Sequence, residues 1–323
     1  MARYRRVQTI THDIGSTGSF FLSVTSADIQ MSGTAGDRVE VKATFEVKAA
    51  SETEADKIFE AIQLDVESGP GRLRVAEQNG ARGLEAAVEQ LLGGNRAALE
   101  DVIVTAPAGA TIDVRSVSGD LHGSGFRGPV RIQTVSGDAR LEKAGGELDM
   151  DSVSGDVAVR GVEPISLKAN TVSGDLTAES PLFRMLKANA VSGDISIDGS
   201  LAVGPMHRID TVSGDVRLAS SSDMTIQVHA LSSDIRASLP HRIEGRADLR
   251  RLIIGDGAVS VNFSSMSGDI NVTGSKYAPA PEPAPAAPSP KPADGDARLA
   301  ILSALEKGEI SVDEAMQRLE GRS

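Results

Sequence analysis

Apolar and polar residues alternate in a unit that recurs along the middle of the chain. Its centre is Val-Ser-Gly-Asp, found at residues 117–120, 135–138, 153–156, 172–175, 191–194 and 212–215. Degenerate copies end at Asp234 and Asp269. One residue after the Asp come Leu121, Ala139, Val157, Leu176, Ile195, Val216, Ile235 and Ile270. Three after it, Leu141, Val159, Ile197, Leu218 and Val272 are again apolar, with Arg140, Ser196, Arg217 and Asn271 lying between. Period-two alternation of this kind marks a strand with one buried face. Six residues before the Asp stand Val114, Ile132, Met150, Ala169, Ala188, Ile209, Val228 and Phe263. Eight before it the residues are aliphatic again, with His207 as the exception. These positions predict a second strand.

The two strands are out of phase. Alternation carried back from the Asp would bury the fifth residue before it, yet the apolar sites are the sixth and the eighth. The chain must therefore bend at the motif. Glycine supplies backbone angles closed to β-branched residues. Serine and aspartate are expected to close the corner by bonding local backbone N–H groups. The motif valine is expected to turn back into the core.

Successive motif aspartates are 18, 18, 19, 19, 21, 19 and 35 residues apart. The last gap is about two steps, which predicts a hidden degenerate copy near residues 246–256. A repeat of about 20 residues indicates stacked units that share one core. The expected fold is mainly β: a parallel β-solenoid, right-handed by the usual chirality of parallel crossovers. About eight to nine rungs, spaced about 4.8 Å apart, would make a rod roughly 40 Å long. An antiparallel sandwich, the rival, would not repeat one turn sequence at one interval.

Four segments follow. Residues 1–110 read as strands and helices that cap the solenoid. Alternation at Val7–Ile10, Phe21–Val24 and Val39–Val41 predicts strands. Ser51 with Glu54 predicts a helix N-terminus, with Ile58, Phe59 and Ile62 inside. A strand at Leu73–Val75, a helix between Leu84 and Leu92, and a strand at Val102–Val104 lead into the solenoid, residues 111–275. Residues 276–294 are a Pro/Ala-rich linker, extended and semi-rigid. Residues 295–323 read as a helical hairpin. Leu299, Leu302 and Leu305 form one face, and a second short helix follows Ser311. The hairpin is too small to fold well alone, so Leu299, Leu302, Leu305, Ile310, Met316 and Leu319 are candidates for self-association or partner binding.

Composition narrows the function. The 323 residues carry a net charge of −12, which argues against nucleic-acid binding. Aromatics are only 3%, with no tryptophan, so stacking platforms for bases or sugars are poorly supplied. Cysteine is absent, which excludes disulfides and thiolate metal sites. No apolar run is long enough to span a bilayer, and no secretory signal is evident. The expected location is cytoplasmic, with envelope association as the alternative. Arg3, Arg5 and Arg6 read as part of a mostly solvated N-terminal strand, with peripheral contact to an acidic lipid or phosphate surface as the alternative.

No catalytic constellation or cofactor motif is present, so no catalytic residue, cofactor site or enzyme activity is expected. The small-molecule question stays open. The five histidines lack metal-ligand spacing; His207 reads as a core histidine and His229 as exposed. Stacked carboxylates about 5 Å apart repel by about 1 kcal/mol per neighbour in water, and something must offset that. Local backbone N–H groups are the structural answer. A Ca²⁺ ladder along Asp138, Asp156, Asp175, Asp194 and Asp215 is the functional one, but one Asp and one Ser per rung is a thin supply for an ion that wants six to eight oxygens. No metal site is therefore assigned.

The reiterated Ser-Gly-Asp corners, the stranded N-terminal part and the approach Ala106-Pro107-Ala108-Gly109 resemble the bacterial DUF4097 group, whose members include proteins named as adhesins. The resemblance covers about residues 5–275. Residues 301–319, ILSALEKGEISVDEAMQRL, resemble the short SHOCT-like helical element. The resemblance implies a β-helix and envelope or stress-response associations, with no catalytic residues to carry over. The expectation is a non-catalytic scaffold whose tail recruits a partner or self-associates. An envelope-associated adhesin or stress-response protein is the alternative. A carbohydrate-active β-helix enzyme is disfavoured by rungs too uniform to make a groove of irregular charged loops.

Overall fold

Alternation builds strands on both sides of each corner. The computed structural model describes residues 2–77, 97–246 and 249–277. The helix expected between Leu84 and Leu92, and everything from residue 278 on, including Leu299, Leu302, Leu305, Ile310, Met316 and Leu319, lie outside the described residues. The fold is mainly β and mostly parallel, with a single helix among the described residues.

The chain opens with β1 (Ala2–Asp13), β2 (Ser19–Ser26), β3 (Asp28–Thr34), β4 (Arg38–Ala49) and helix α1 (Glu52–Ala61). After these come β5 (Leu64–Gly69), β6 (Arg72–Glu77) and β7 (Ala97–Pro107). The repeat region begins with β8 (Thr111–Ser118), β9 (Leu121–Ser124) and β10 (Val130–Ser136). Three long strands then run through the third side of a rung from one corner to the next: β11 (Ala139–Ser154), β12 (Val157–Ser173) and β13 (Leu176–Ser192). They are followed by β14 (Ile195–Leu201), β15 (Met206–Ser213), β16 (Val216–Ala219), β17 (Met224–Ser232) and β18 (Ile235–Ala237). The last are β19 (His241–Arg246), β20 (Leu249–Ile254), β21 (Val259–Ser267) and β22 (Ile270–Thr273).

Equivalent residues of successive repeats stand in register. Before the corner, Val114, Ile132, Met150, Ala169, Ala188 and Ile209 form one buried column. After it, Leu121, Ala139, Val157, Leu176, Ile195 and Val216 form another. Stacking therefore supplies the hydrophobic core that one rung lacks.

The corner itself differs from the expectation of local closure. Each aspartate carboxylate accepts the backbone N–H of the aspartate in the next rung. Asp138 N donates to Asp120 Oδ1 (3.0 Å), Asp156 to Asp138 (2.9 Å) and Asp175 to Asp156 (2.8 Å). Asp194 donates to Asp175 and Asp215 to Asp194, both at 2.9 Å. Local closure comes instead from the residue four before the Asp: Ser116 Oγ donates to the carbonyl of Ser118 (3.1 Å) and Ser152 Oγ to that of Gly155 (3.3 Å). The glycine is needed twice over at this corner. Gly155 has φ +121°, and a Cβ there would lie 2.3 Å from the carbonyl oxygen of Gly137 below it.

The ladder begins earlier than the repeat. Asp120 N donates to Asp28 Oδ1 (3.1 Å), so Ser26-Ala27-Asp28 is a ninth corner and β2 and β3 form the first rung. From that rung the N-terminal strands extend outward, β6 and β5 on one side, β7, β4 and β1 on the other. Helix α1 caps as expected, with Ser51 Oγ accepting from Glu54 N (3.3 Å), and it buries Ala55 and Phe59. Ile58 and Ile62 are partly buried against the core.

At the other end the stacking order departs from the sequence order. The rung after β15/β16 is β21/β22, with Ile209 beside Phe263 and Val216 beside Ile270. The β17/β18 rung lies outside it: Asp269 N donates to Asp215, and Asp234 N in turn to Asp269, each at 2.9 Å. Among the described residues near 246–256 the expected hidden repeat is not found. Arg246 and residues 249–254 lie instead in the antiparallel strands β19 and β20, with β20 laid on β17. Alternation alone could not distinguish a parallel rung from an antiparallel cover. Arg250 Nη2 donates to the carbonyl of Ser233 (2.7 Å), satisfying an acceptor at the outermost corner.

Replacing Asp156 by Ala is expected to lower stability by about 1 kcal/mol, the worth of one hydrogen bond. Asp156→Asn keeps an acceptor oxygen and is expected to leave stability near wild type. Gly155→Ala is expected to cost about 2–3 kcal/mol, from backbone strain and the clash with the rung below. Urea unfolding midpoints check the order.

Candidate functional site

The corner places its valines on the surface. The first strand keeps its phase through the fourth residue before the Asp, where Ser116, Thr134, Ser152, Thr171, Ala190 and Thr211 are buried. The next residue must then face out. Val117, Val135, Val153, Val172, Val191 and Val212 are accordingly 42–50% exposed, which corrects the expectation that they point inward. The bend lies after the valine, not before it. The register pairs Thr134–Ser152 and Ser136–Ser154 set Val135 beside Val153, and the same spacing continues along the stack. Met266 (57% exposed) and Leu231 (84%) extend the row over the last two rungs.

This row is one wall of a groove of ≈ 950 Å³ running along the stack. Small buried residues form its floor. The opposite wall is the column five before the Asp: Arg115, Gln133, Asp151, Asn170, Asn189 and Asp210. These polar groups bond along the column. Gln133 Nε2 (3.3 Å) and Asn170 Nδ2 (2.6 Å) both donate to Asp151, and Asn189 Nδ2 donates to Asn170 Oδ1 (2.6 Å). Arg208 donates to Asp210, and that contact raises the arginine above its ordinary pKa. One groove wall is thus apolar and the other is hydrogen-bonded and polar.

The other candidates disperse. Asp138, Asp156, Asp175, Asp194 and Asp215 stand on the far side of the corner, each with Oδ1 occupied by a neighbouring N–H. Among the described residues no three acidic or histidine side chains gather as a metal site. Arg3, Arg5 and Arg6 pair with Glu46, Glu100 and Asp56 respectively, so each already faces a carboxylate. His229 is exposed. Among the described residues no helix is long and apolar enough to cross a membrane. The sequence reading missed the groove because valine was assigned by residue type and not by phase. The small residues four before each motif Asp, mostly Ser or Thr, were the available signal.

His207 sits in the core with no exposed surface, beside Val261. Nε2 lies 2.9 Å from the carbonyl of Ala202, while Nδ1 is buried without a partner. Burial pushes its pKa below the ordinary 6.5, against the opposing pull of the Ala202 bond. The folded protein therefore keeps the ring neutral at a pH where the unfolded chain protonates it. Stability is held above the unfolded pKa of 6.5 and lost as pH falls toward the lower folded value. Urea midpoints between pH 7.5 and pH 5 are expected to fall less in His207→Leu than in wild type.

A family model described as Toastrack DUF4097 matches residues 13–181 and 100–273. Three solved structures are similar in fold at low identity. A "putative lipid binding protein" from Parabacteroides distasonis is 12% identical with TM-score 0.44, the match covering 82% of this chain and 96% of that one. A "putative adhesin" from Bacteroides fragilis is 12% identical with TM-score 0.30, covering 83% and 97%. A "putative cell adhesion protein" from Clostridium sporogenes is 13% identical with TM-score 0.27, covering 84% and 99%. At these scores the likenesses carry no argument about function. No curated protein matches.

Proposed function

We propose, for a chain that belongs to the Toastrack DUF4097 family, that it is a non-catalytic interaction scaffold whose contact surface is the valine groove. The observation that carries this reading is the row of half-exposed valines at one position of six successive rungs. Single exposed apolar residues are ordinary, whereas a contiguous apolar stripe with a polar rim is a feature of binding surfaces. The rung backbone does not need valine there. An outward position of a parallel strand accepts Thr or Ser without loss of core. The proposed scaffold also includes the tail: Leu299, Leu302, Leu305, Ile310, Met316 and Leu319 supply a second apolar surface by sequence pattern, joined through the Pro/Ala-rich segment.

Val153→Lys/Val172→Lys in the full chain tests the groove. Both sites face solvent, so the unfolding midpoint is expected to stay within about 0.5 kcal/mol of wild type. Proteins captured by the tagged full chain from native extract are expected to be lost. An unchanged set of captured proteins, from a variant that remains folded, would contradict the reading.

A further inference from the structure

The strands β17 to β20 are an insertion between two rungs that already touch. β21 and β22 pair directly with β15 and β16, so the stack is continuous without them. Asp215 and Asp269 are 54 residues apart in sequence yet adjacent in the ladder. Without the 35 residues 221–255 they would be 19 apart, the spacing of Asp156 from Asp175 and of Asp175 from Asp194. The run from Asp215 to Val261 would then be 11 residues, as from Asp156 to Leu167 and from Asp175 to Leu186. The two ends of the insertion also meet. Met224 pairs with Ile254, and the carbonyl of Asp223 accepts the N–H of Val259 (3.0 Å).

The inserted strands are bonded to one another. β17, β20 and β19 pair antiparallel in that order, and Arg250 Nη2 reaches the carbonyl of Ser233. Their hold on the stack is uneven. Before the corner, β17 pairs with β21 and buries Met224, Ile226 and Val228. After it, β18 has only three residues paired with β22. Ile235 is partly buried there, whereas Ile195, Val216 and Ile270 at the same position of other rungs are fully buried.

We infer that β17 to β20 form a cap that opens as one unit about the neck at Asp223, uncovering the outer edges of β21 and β22. Opening breaks the β17–β21 and β18–β22 pairings and the bond from Asp234 N–H to Asp269. It leaves every rung beneath in place. Detached, these short strands have no layer to pack against, so the cap unfolds as it opens. The uncovered edge presents unpaired backbone N–H and C=O groups, a template for adding a strand. The closed cap keeps that template covered. The device is separate from the valine groove, whose row through Met266 stays with the stack.

Hydrogen exchange of the full chain in rising, sub-denaturing urea reads this opening at single amides. The amides of Ile226, Val228 and Leu252 are expected to share one opening reaction with one urea dependence. They are expected to exchange at least about tenfold faster than those of Leu176 and Ile209 in the rungs beneath. The chain has no cysteine, so an introduced pair can lock the cap. Gln227 and Asn262 are registered neighbours on β17 and β21. In the full chain, oxidised Gln227→Cys/Asn262→Cys is expected to slow the three cap amides to the rate of Ile209, and reduction to restore their faster exchange. Cap amides that exchange only together with Leu176 and Ile209 in the unlocked chain overturn the inference. So do three unequal urea dependences, or an oxidised lock that leaves the exchange unchanged.

Discussion

The structure depends on one contact made eight times along nine stacked aspartates: the backbone N–H of each corner aspartate above Asp28 points at the carboxylate of the rung beneath. That bond answers the question raised by a column of like charges. Repulsion between neighbouring carboxylates is about 1 kcal/mol in water, and a charge-assisted hydrogen bond is of comparable or larger worth. The same bond fixes the distance between corners. At that distance a Cβ on Gly119, Gly137, Gly155, Gly174, Gly193, Gly214 or Gly268 would lie within 2.3 Å of the carbonyl oxygen of the corner below. Ala27 takes the position at the first corner, which has none below it, and Ser233 takes it at the outermost corner without a positive φ, its carbonyl accepting from Arg250.

The tight corner also decides what the surface looks like. Because the reversal occurs within Ser-Gly-Asp, the preceding strand keeps its phase to the last residue, and the valine is carried outward six times in register. The exposed row is therefore a consequence of corner geometry in position and a matter of side-chain choice in chemistry. Position alone would tolerate a polar residue there. The hydrogen-bonded Gln/Asp/Asn column opposite gives the groove a second, polar wall. The groove thus has one apolar and one polar wall.

Much of the fold was legible because alternation and spacing are both periodic. The strands flanking each motif, the register of their apolar positions, the inward His207 and the cap at Ser51 all follow from local rules. What escaped depends on non-local partners. Asp28 closes the first rung, yet 92 residues separate it from Asp120, so no spacing could reveal it. The insertion of β21 and β22 beneath β17 and β18 is a choice between two stackings of equivalent strands, which a repeat cannot encode. The 35-residue gap before Asp269 suggested a missing rung; the antiparallel pairing of Ile226 with Leu252 shows a cover instead. The groove was within reach: phase counted forward from Ile132 through Thr134 puts Val135 outside, and only the habit of burying valine hid it.

The central claim is that the amide of each corner aspartate is held from rung to rung and not within its own turn. Amide hydrogen exchange reads this at the backbone groups concerned. The aspartate side chains are exposed, so an N–H closed only by its own turn would exchange quickly. The account predicts that the amides of Asp138, Asp156, Asp175, Asp194 and Asp215 exchange as slowly as those of the buried strand residues Val157 and Leu176. Fast exchange at these aspartates, beside slow exchange in the flanking strands, would contradict it.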